Sequence, residues 1–170
     1  HRPRISRLPC FLSTLTLTNR RRRHSTNAVR AKGPIEVLVN NAGVAQGFSV
    51  EDASMEGFRQ TMETNFFGAL RCIKAVLPDM RERRRGCIIN VTSVAGQIAV
   101  TPQAAYTTSK FALEAASEVL AQEVRQFDVR VAIVEPGVIA TPIFNKLNAP
   151  LDTQYPGERS LNALFVTSLT

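Results

Sequence analysis

Three short apolar segments limit the folds that are open to this chain. They are IEVLV (35–39), CIINV (87–91) and VRVAIV (129–134), and none has the strict alternation of polar and apolar residues that marks a half-exposed strand. Strands of this kind are typical of a parallel sheet that is buried on both faces and covered by helices. Two longer stretches, 55–80 and 103–127, separate the segments in the manner of crossover helices. The pattern predicts an α/β fold.

The first of these stretches has an apolar stripe at helical spacing. Pro78 and the charged segment RERRRG (81–86) are expected to end the helix, and we interpret the arginines as a solvated turn. The steps of three and four that define the stripe run through Met55, Phe58, Met62, Phe66, Ala69, Ile73, Val76 and Met80.

Positive charge is concentrated in the first part of the chain. The formal net charge is +7, yet residues 1–35 hold eight arginines, one lysine and no acidic residue, so the remaining residues carry a net charge of −2. Nucleic-acid binding would depend wholly on this arm, and it is not expected, because no aromatic residues are interleaved with the arginine run at 20–23. We interpret the arm as a solvated tail or a processing segment, similar in composition to an organellar transit peptide. Because the first residue is His1, we expect a fragment, a processed chain or a misplaced start.

The cysteine and histidine pattern does not predict a metal site. Cys10, Cys72 and Cys87 are scattered, and both histidines, His1 and His24, lie in the arm. Free thiols favour a reducing compartment, so a cytoplasmic protein is expected. No apolar run approaches about 18 residues, so no membrane span is expected.

Tyr106 and Lys110 are the first candidate for chemistry. Residues four apart lie on the same face of a helix, so the phenol and the ammonium should be one turn apart. An ammonium beside a phenol favours the phenolate, and a tyrosine in this setting can exchange a proton near neutral pH. The spacing Y-x-x-x-K alone occurs in many helices by chance, and a core tyrosine beside an exposed lysine is the alternative.

Four further elements surround this pair in a fixed order: N-N-A-G at 40–43, Asn65, Ser93 at the end of the second strand, and P-G-x-x-x-T at 136–141. On these motifs, residues 33–147 resemble the short-chain dehydrogenase/reductase family. The resemblance implies an incomplete Rossmann-like, doubly wound parallel sheet with flanking helices. It also implies an NAD- or NADP-dependent oxidoreductase that transfers a hydride between the nicotinamide and a small-molecule ketone or secondary alcohol.

The resemblance also assigns roles to residues. Tyr106 is the general acid or base, Lys110 supports it and binds the nicotinamide ribose, and Ser93 donates to the substrate carbonyl oxygen. Asn65 holds a water in a proton relay to Lys110; a helix interruption on the exposed side is the alternative. Thr92 beside Ser93 is a second hydroxyl at this strand end. The other cofactor-binding residues that the resemblance implies are Asn40, which would also cross-link strands, Ala42, Gly43, Pro136, Gly137, Ile139 and Thr141.

The sequence departs from the family pattern at its beginning. It has no TGxxxGxG motif, whose glycines bring the backbone close to the pyrophosphate, and no residue that selects NAD or NADP. We divide the chain into a basic arm (1–32), a partial catalytic core (33–147) and a truncated substrate-loop region (148–170). The alternative function is a truncated, non-catalytic remnant that acts as a dimerising scaffold. The resemblance also implies that the two long helices form a homo-dimer or tetramer.

Overall fold

The computed structural model of the chain describes residues 34–137, which form a three-stranded sheet and two long helical segments. The elements in chain order are β1 (Val37–Asn40), α1 (Met55–Met62), a π-turn (Glu63–Phe67), α2 (Gly68–Glu82), β2 (Gly86–Val91), a 3-10 turn (Val94–Gly96), α3 (Ala104–Val124), a second 3-10 turn (Arg125–Phe127) and β3 (Val129–Val134).

The sheet is parallel, as predicted. Its strand order is β1-β2-β3, and Leu38 lies opposite Ile88, which lies opposite Val131. Each crossover between neighbouring strands contains a helix, which is the connection that parallel pairing requires. The predicted fold class, a parallel sheet with flanking helices, is confirmed.

Both helical segments pack on the same face of this sheet. The core joins Leu38, Ile88 and Val129 of the three strands to side chains of α2 and α3. Fully burying one such side chain contributes about 1.5–3 kcal/mol. On the opposite face, Val39 and Ile89 are only partly buried and Val134 is 45% exposed. Within residues 34–137, the strands are therefore packed on one face, whereas the sequence predicted burial on both. The helical members of the core are Cys72, Ile73, Val76, Met80, Leu120 and Val124.

The predicted stripe of the first helix is right only for its second half. Ala69, Ile73, Val76 and Met80 are buried, but Met55 is 64% exposed. The cause is the π-turn, which places one extra residue in the helix and so shifts the inward face before it by one position. The residues that replace the first half of the stripe on the buried face are Gly57, Thr61 and Asn65.

The helix ends within the RERRRG segment, as expected, but Pro78 does not contribute to its end. Pro78 lies inside α2, which continues to Glu82. Proline removes one backbone donor, and at this exposed position near the helix end water can satisfy the carbonyl group that is left without a partner.

The arginines that follow α2 are not merely solvated. Arg84, with a φ of 48°, pairs with Asp128, whose φ is 56°, so the turns before β2 and β3 are joined at two left-handed residues. Arg83 donates to the carbonyl oxygen of Ile35 before β1. These contacts hold the amino ends of the strands together, at the edge opposite the candidate site.

Candidate active site

The carboxyl ends of β1 and β2 are joined by buried amides. Asn40 Nδ2 donates to Asn90 Oδ1 at 2.8 Å, and Asn90 Nδ2 donates to Ser117 Oγ on α3 at 2.7 Å. Ser117 Oγ in turn donates to the carbonyl oxygen of Leu113 at 2.6 Å. The predicted cross-link of strands by Asn40 is therefore present, and it extends to the helix that carries Tyr106.

The two hydroxyl residues after β2 differ in the hydrogen bonds that their side chains make. Thr92 is buried, and its Oγ1 donates to the carbonyl oxygen of Val134 at 3.1 Å. Ser93 is partly buried, and its Oγ accepts from the backbone N–H of Ala95 at 3.1 Å. Because Ser93 Oγ acts as an acceptor there, its own proton is available to a further group. Ser93 is thus better placed than Thr92 to donate to a ligand.

Asn65 is the centre of the π-turn and is 1% exposed. Its Nδ2 donates to the carbonyl oxygen of Val44 and to Ser109 Oγ, both at 2.9 Å, and its Oδ1 accepts from the Val44 N–H at 2.8 Å. Both amide protons are therefore used. The alternative of an exposed helix interruption is wrong, since this side chain ties the turn after β1 to α3.

Tyr106 and Lys110 lie side by side on α3, as their spacing predicts. Lys110 Nζ is 5.5 Å from the centroid of the Tyr106 ring and donates to the carbonyl oxygen of Val91, the last residue of β2, at 3.0 Å. Lys110 is 4% exposed, so the alternative of an exposed lysine is wrong. Burial, which disfavours the ammonium, lowers the pKa of Lys110 from 10.5 to about 8, although the nearby Glu114 carboxylate opposes this change.

This pKa predicts a rise in stability at alkaline pH. Below about 8, Lys110 is protonated in both states and the cost of burying its charge is fully present. From about 8 to 10.5, the unfolded chain holds more protons than the folded chain, so the free energy of unfolding should rise, by about 3 kcal/mol in all. Chemical denaturation at a series of pH values measures this rise. Lys110→Met should remove it and exposed Lys74→Met should keep it; an unchanged rise in Lys110→Met would contradict the assignment.

Gly43 lies in front of this lysine. A methyl carbon at Gly43 would be 3.5 Å from Asn65 Oδ1 and 3.7 Å from Lys110 Nζ, so the turn after β1 passes close to the ammonium. Asn41 and Ala42 of this turn are exposed. A buried cation beside a glycine turn fits the hydroxyl groups of a cofactor ribose. The described residues thus fit the nicotinamide side of a dinucleotide.

The segment after β3 is held against the segment after β2 by two hydrogen bonds, one of which is from Gln97 Nε2 to Glu135 Oε1 at 3.1 Å. The carbonyl oxygen of Pro136 accepts from the N–H of Val94 at 3.1 Å, which ties this segment to the turn after Ser93. Gly137 is exposed, and no atom of the described residues lies within 4 Å of the position that a methyl group would take on it. Ile139 and Thr141 lie outside the described residues.

Several residues of this site were missed by sequence reasoning. Ser109 bridges Asn65 and the carbonyl oxygen of Tyr106, while Asn90 and Ser117 join the strands to α3. The available signal was the pair of small polar residues Ser109 and Ser117, which lie two helical turns apart on an otherwise apolar helix, with Lys110 and Glu114 between them. Within residues 34–137, no group of three or more Cys, His, Asp or Glu side chains could hold a metal ion. The helices in this range are also too short or too polar to cross a membrane.

Comparisons with known proteins define the class to which this fold and site belong. A family model described as short chain dehydrogenase matches residues 10–152. Retinol dehydrogenase 8 of Bos taurus is 43% identical over 126 residues, which are 74% of this chain and 40% of the relative. The chain therefore belongs to the short-chain dehydrogenase family.

Solved structures of relatives share the same architecture. A metagenomic short-chain oxidoreductase in complex with NADP is 36% identical with a TM-score of 0.64, covering 68% of this chain and 53% of that one. A 4-hydroxyisoleucine dehydrogenase complexed with NADH and succinate is 29% identical with a TM-score of 0.64, covering 68% and 54%. The chain thus spans about half the length of the relatives that it matches.

Proposed function

We propose that this chain serves NAD- or NADP-dependent hydride transfer between a nicotinamide and a ketone or secondary alcohol, with Tyr106 as the general acid or base. The observation that carries this proposal is the buried position of Lys110 beside the Tyr106 ring. Burying an ammonium costs free energy that hydrogen bonds or an opposite charge must offset, so such a group is expected to serve a function. Stabilising a phenolate next to it, and binding a cofactor through its remaining protons, would account for its position.

In the direction of reduction, Tyr106 donates its hydroxyl proton to the substrate carbonyl oxygen, and in the direction of oxidation it takes that proton back. The Lys110 charge stabilises the phenolate that remains. Ser93 donates a hydrogen bond to the same substrate oxygen and stabilises the charge that develops on it. When bound, the nicotinamide supplies or accepts the hydride at the carbonyl carbon.

We assign the relay and cofactor contacts as follows. Because both amide protons of Asn65 are used by Val44 and Ser109, a relay water has to bind at its main-chain carbonyl or at the second lone pair of Oδ1. Lys110 binds the nicotinamide ribose in front of Gly43. The remaining residues proposed to contact the cofactor are Asn40, Ala42, Tyr106, Pro136, Gly137, Ile139 and Thr141.

Calorimetric titration with NADPH and with NADH tests this proposal. We expect binding of at least one of the two, and a loss of about tenfold or more in affinity in Lys110→Met, because a hydrogen bond from a charged group contributes about 1.5–3 kcal/mol. Lys74→Met, which removes an exposed lysine of α2, should leave the affinity unchanged. Absence of binding for both nucleotides would exclude cofactor-dependent activity of this chain.

A second candidate function is a dimerising scaffold without catalysis. It is favoured by exposed apolar residues on the helices: Phe111 is 41% and Val119 53% exposed, and with the exposed Ala115 they form one stripe along α3. Phe67 of the π-turn is 44% exposed. We propose that these helices form a homo-dimer or tetramer, with or without catalysis. The cytoplasmic location stays a prediction.

A further inference from the structure

Glu114 is a buried carboxylate that the proposed chemistry does not use. It follows Lys110 by four residues on α3 and is 4% exposed. Neither of its carboxylate oxygens has a hydrogen-bond partner among the described residues. Burying such a group is costly, so its position calls for a balancing charge nearby.

The packing around Glu114 connects it to the turn that carries Ser93. A methyl carbon at Gly96 would lie 2.9 Å from Glu114 Cγ, 3.2 Å from its Oε1 and 3.3 Å from the carbonyl oxygen of Lys110. Gly96 itself is buried, and its N–H donates to the carbonyl oxygen of Ser93 at 2.7 Å. The turn after β2 therefore rests directly on the helical turn from Lys110 to Glu114, and only glycine leaves room for the carboxylate.

We propose that Glu114 is a positioning residue for Lys110: its buried carboxylate keeps the lysine charged beneath the Ser93–Gly96 turn. This role rests on the proposed function, in which the charge of Lys110 stabilises the Tyr106 phenolate. Glu114 follows Lys110 by one helical turn, so both side chains leave the same face of α3, and opposite charges attract more strongly there because both residues are shielded from water. Burial lowers the pKa of Lys110, and the Glu114 carboxylate raises it again.

Other charged groups near α3 are less well placed to do this. On α3 itself, Tyr106 is the titratable neighbour of Lys110. Glu63 of the π-turn is paired with Arg71, and Asp52, the other buried acidic residue among the described residues, is hydrogen-bonded to Ser49. The remaining charged side chains on elements packed against α3 are all exposed, and they are Glu56, Arg59, Arg125 and Arg130.

Direct titration of the lysine tests the proposal. The chain has four lysines, at 32, 74, 110 and 146, so ¹⁵N-lysine labelling gives few NMR signals, and Lys110→Arg identifies the signal of Lys110 by its loss. In Glu114→Gln, we expect the titration midpoint of Lys110 to fall by about one pH unit or more, a tenfold change in proton affinity. In Glu118→Gln, which removes an exposed carboxylate one turn further along α3, the midpoint should not move.

An unchanged midpoint in Glu114→Gln, or an equal fall in Glu118→Gln, overturns the proposal. Glu114→Asp keeps the charge and should restore most of the wild-type midpoint, which a purely structural role would not predict. If Glu114→Gln does not fold, Gly96→Ala is the second variant: its methyl group displaces the carboxylate, and the Lys110 midpoint should fall without loss of the acidic residue. The titration needs neither cofactor nor substrate. A failure to bind NADPH would therefore count against the proposed function and not against the role of Glu114.

Discussion

Replacing Tyr106 by phenylalanine is expected to lower turnover by roughly 10²–10⁴-fold and to leave NADPH affinity nearly unchanged. The ring is partly buried on α3 beside Lys110, so phenylalanine keeps its packing and removes only the hydroxyl group. Without that group, no proton is delivered to the carbonyl oxygen when the hydride arrives. The Tyr106 hydroxyl is only one of several proposed cofactor contacts, and the others, including Lys110, should keep most of the affinity.

The measurement is NADPH consumption with a panel of ketones and aldehydes, together with calorimetry on the same preparations. Thr108→Ala is the matched control, because it removes an exposed hydroxyl group from the same helical turn. Turnover that survives in Tyr106→Phe would show that another group supplies the proton. A parallel loss of NADPH binding of similar size would show that the phenol acts mainly by holding the cofactor and not by proton transfer.

Asn90→Leu is expected to give the largest loss of stability, about 2–3 kcal/mol in the free energy of unfolding. The side chain is fully buried and links Asn40 on β1 to Ser117 on α3. Leucine of similar size leaves the buried amide of Asn40 without its acceptor, and the desolvation cost of that amide is not recovered. Urea denaturation measures the change.

Two further variants separate this effect from a general intolerance of leucine. Asn41 neighbours Asn40 but is exposed, and Asn41→Leu should change the free energy of unfolding by no more than about 0.5 kcal/mol. Replacing Asn40 and Asn90 together by leucine should cost less than the sum of the single changes, because no unpaired amide then remains between the strands. Additive losses would contradict the paired role of the two amides.

The strands and the order of the site residues could be predicted from sequence because they depend on local patterns. Apolar runs such as CIINV predict strands, and the parallel sheet then brings their carboxyl ends to one edge. The four-residue spacing of Tyr106 and Lys110 gives their proximity directly. The buried state of Lys110 did not follow from this spacing, because it depends on β2 and the turn at Gly43 closing over the helix.

Hydrogen bonds between distant residues were mostly beyond sequence reasoning. Asn40 was expected to cross-link strands, but its partner, Asn90, is 50 residues away, and no local pattern identifies it. The same applies to Glu114, which resembles an ordinary polar residue of an amphipathic helix until Gly96 is found against it. These contacts depend on how α3 packs on the sheet and not on the helix propensity of the residues.

The π-turn determines which face of the segment from Met55 to Phe67 is buried. In a continuous α-helix, the Met55, Phe58 and Met62 stripe would turn towards α3, against which this segment packs, since a shift of one residue rotates a helix by about 100°. That arrangement would bury more apolar surface, yet it would carry Asn65 away from Val44 and Ser109. The three hydrogen bonds of Asn65 thus favour the rotation of the helix in which Asn65 is buried. The chain gives up apolar burial along one helix in order to hold a single amide at the edge of its site.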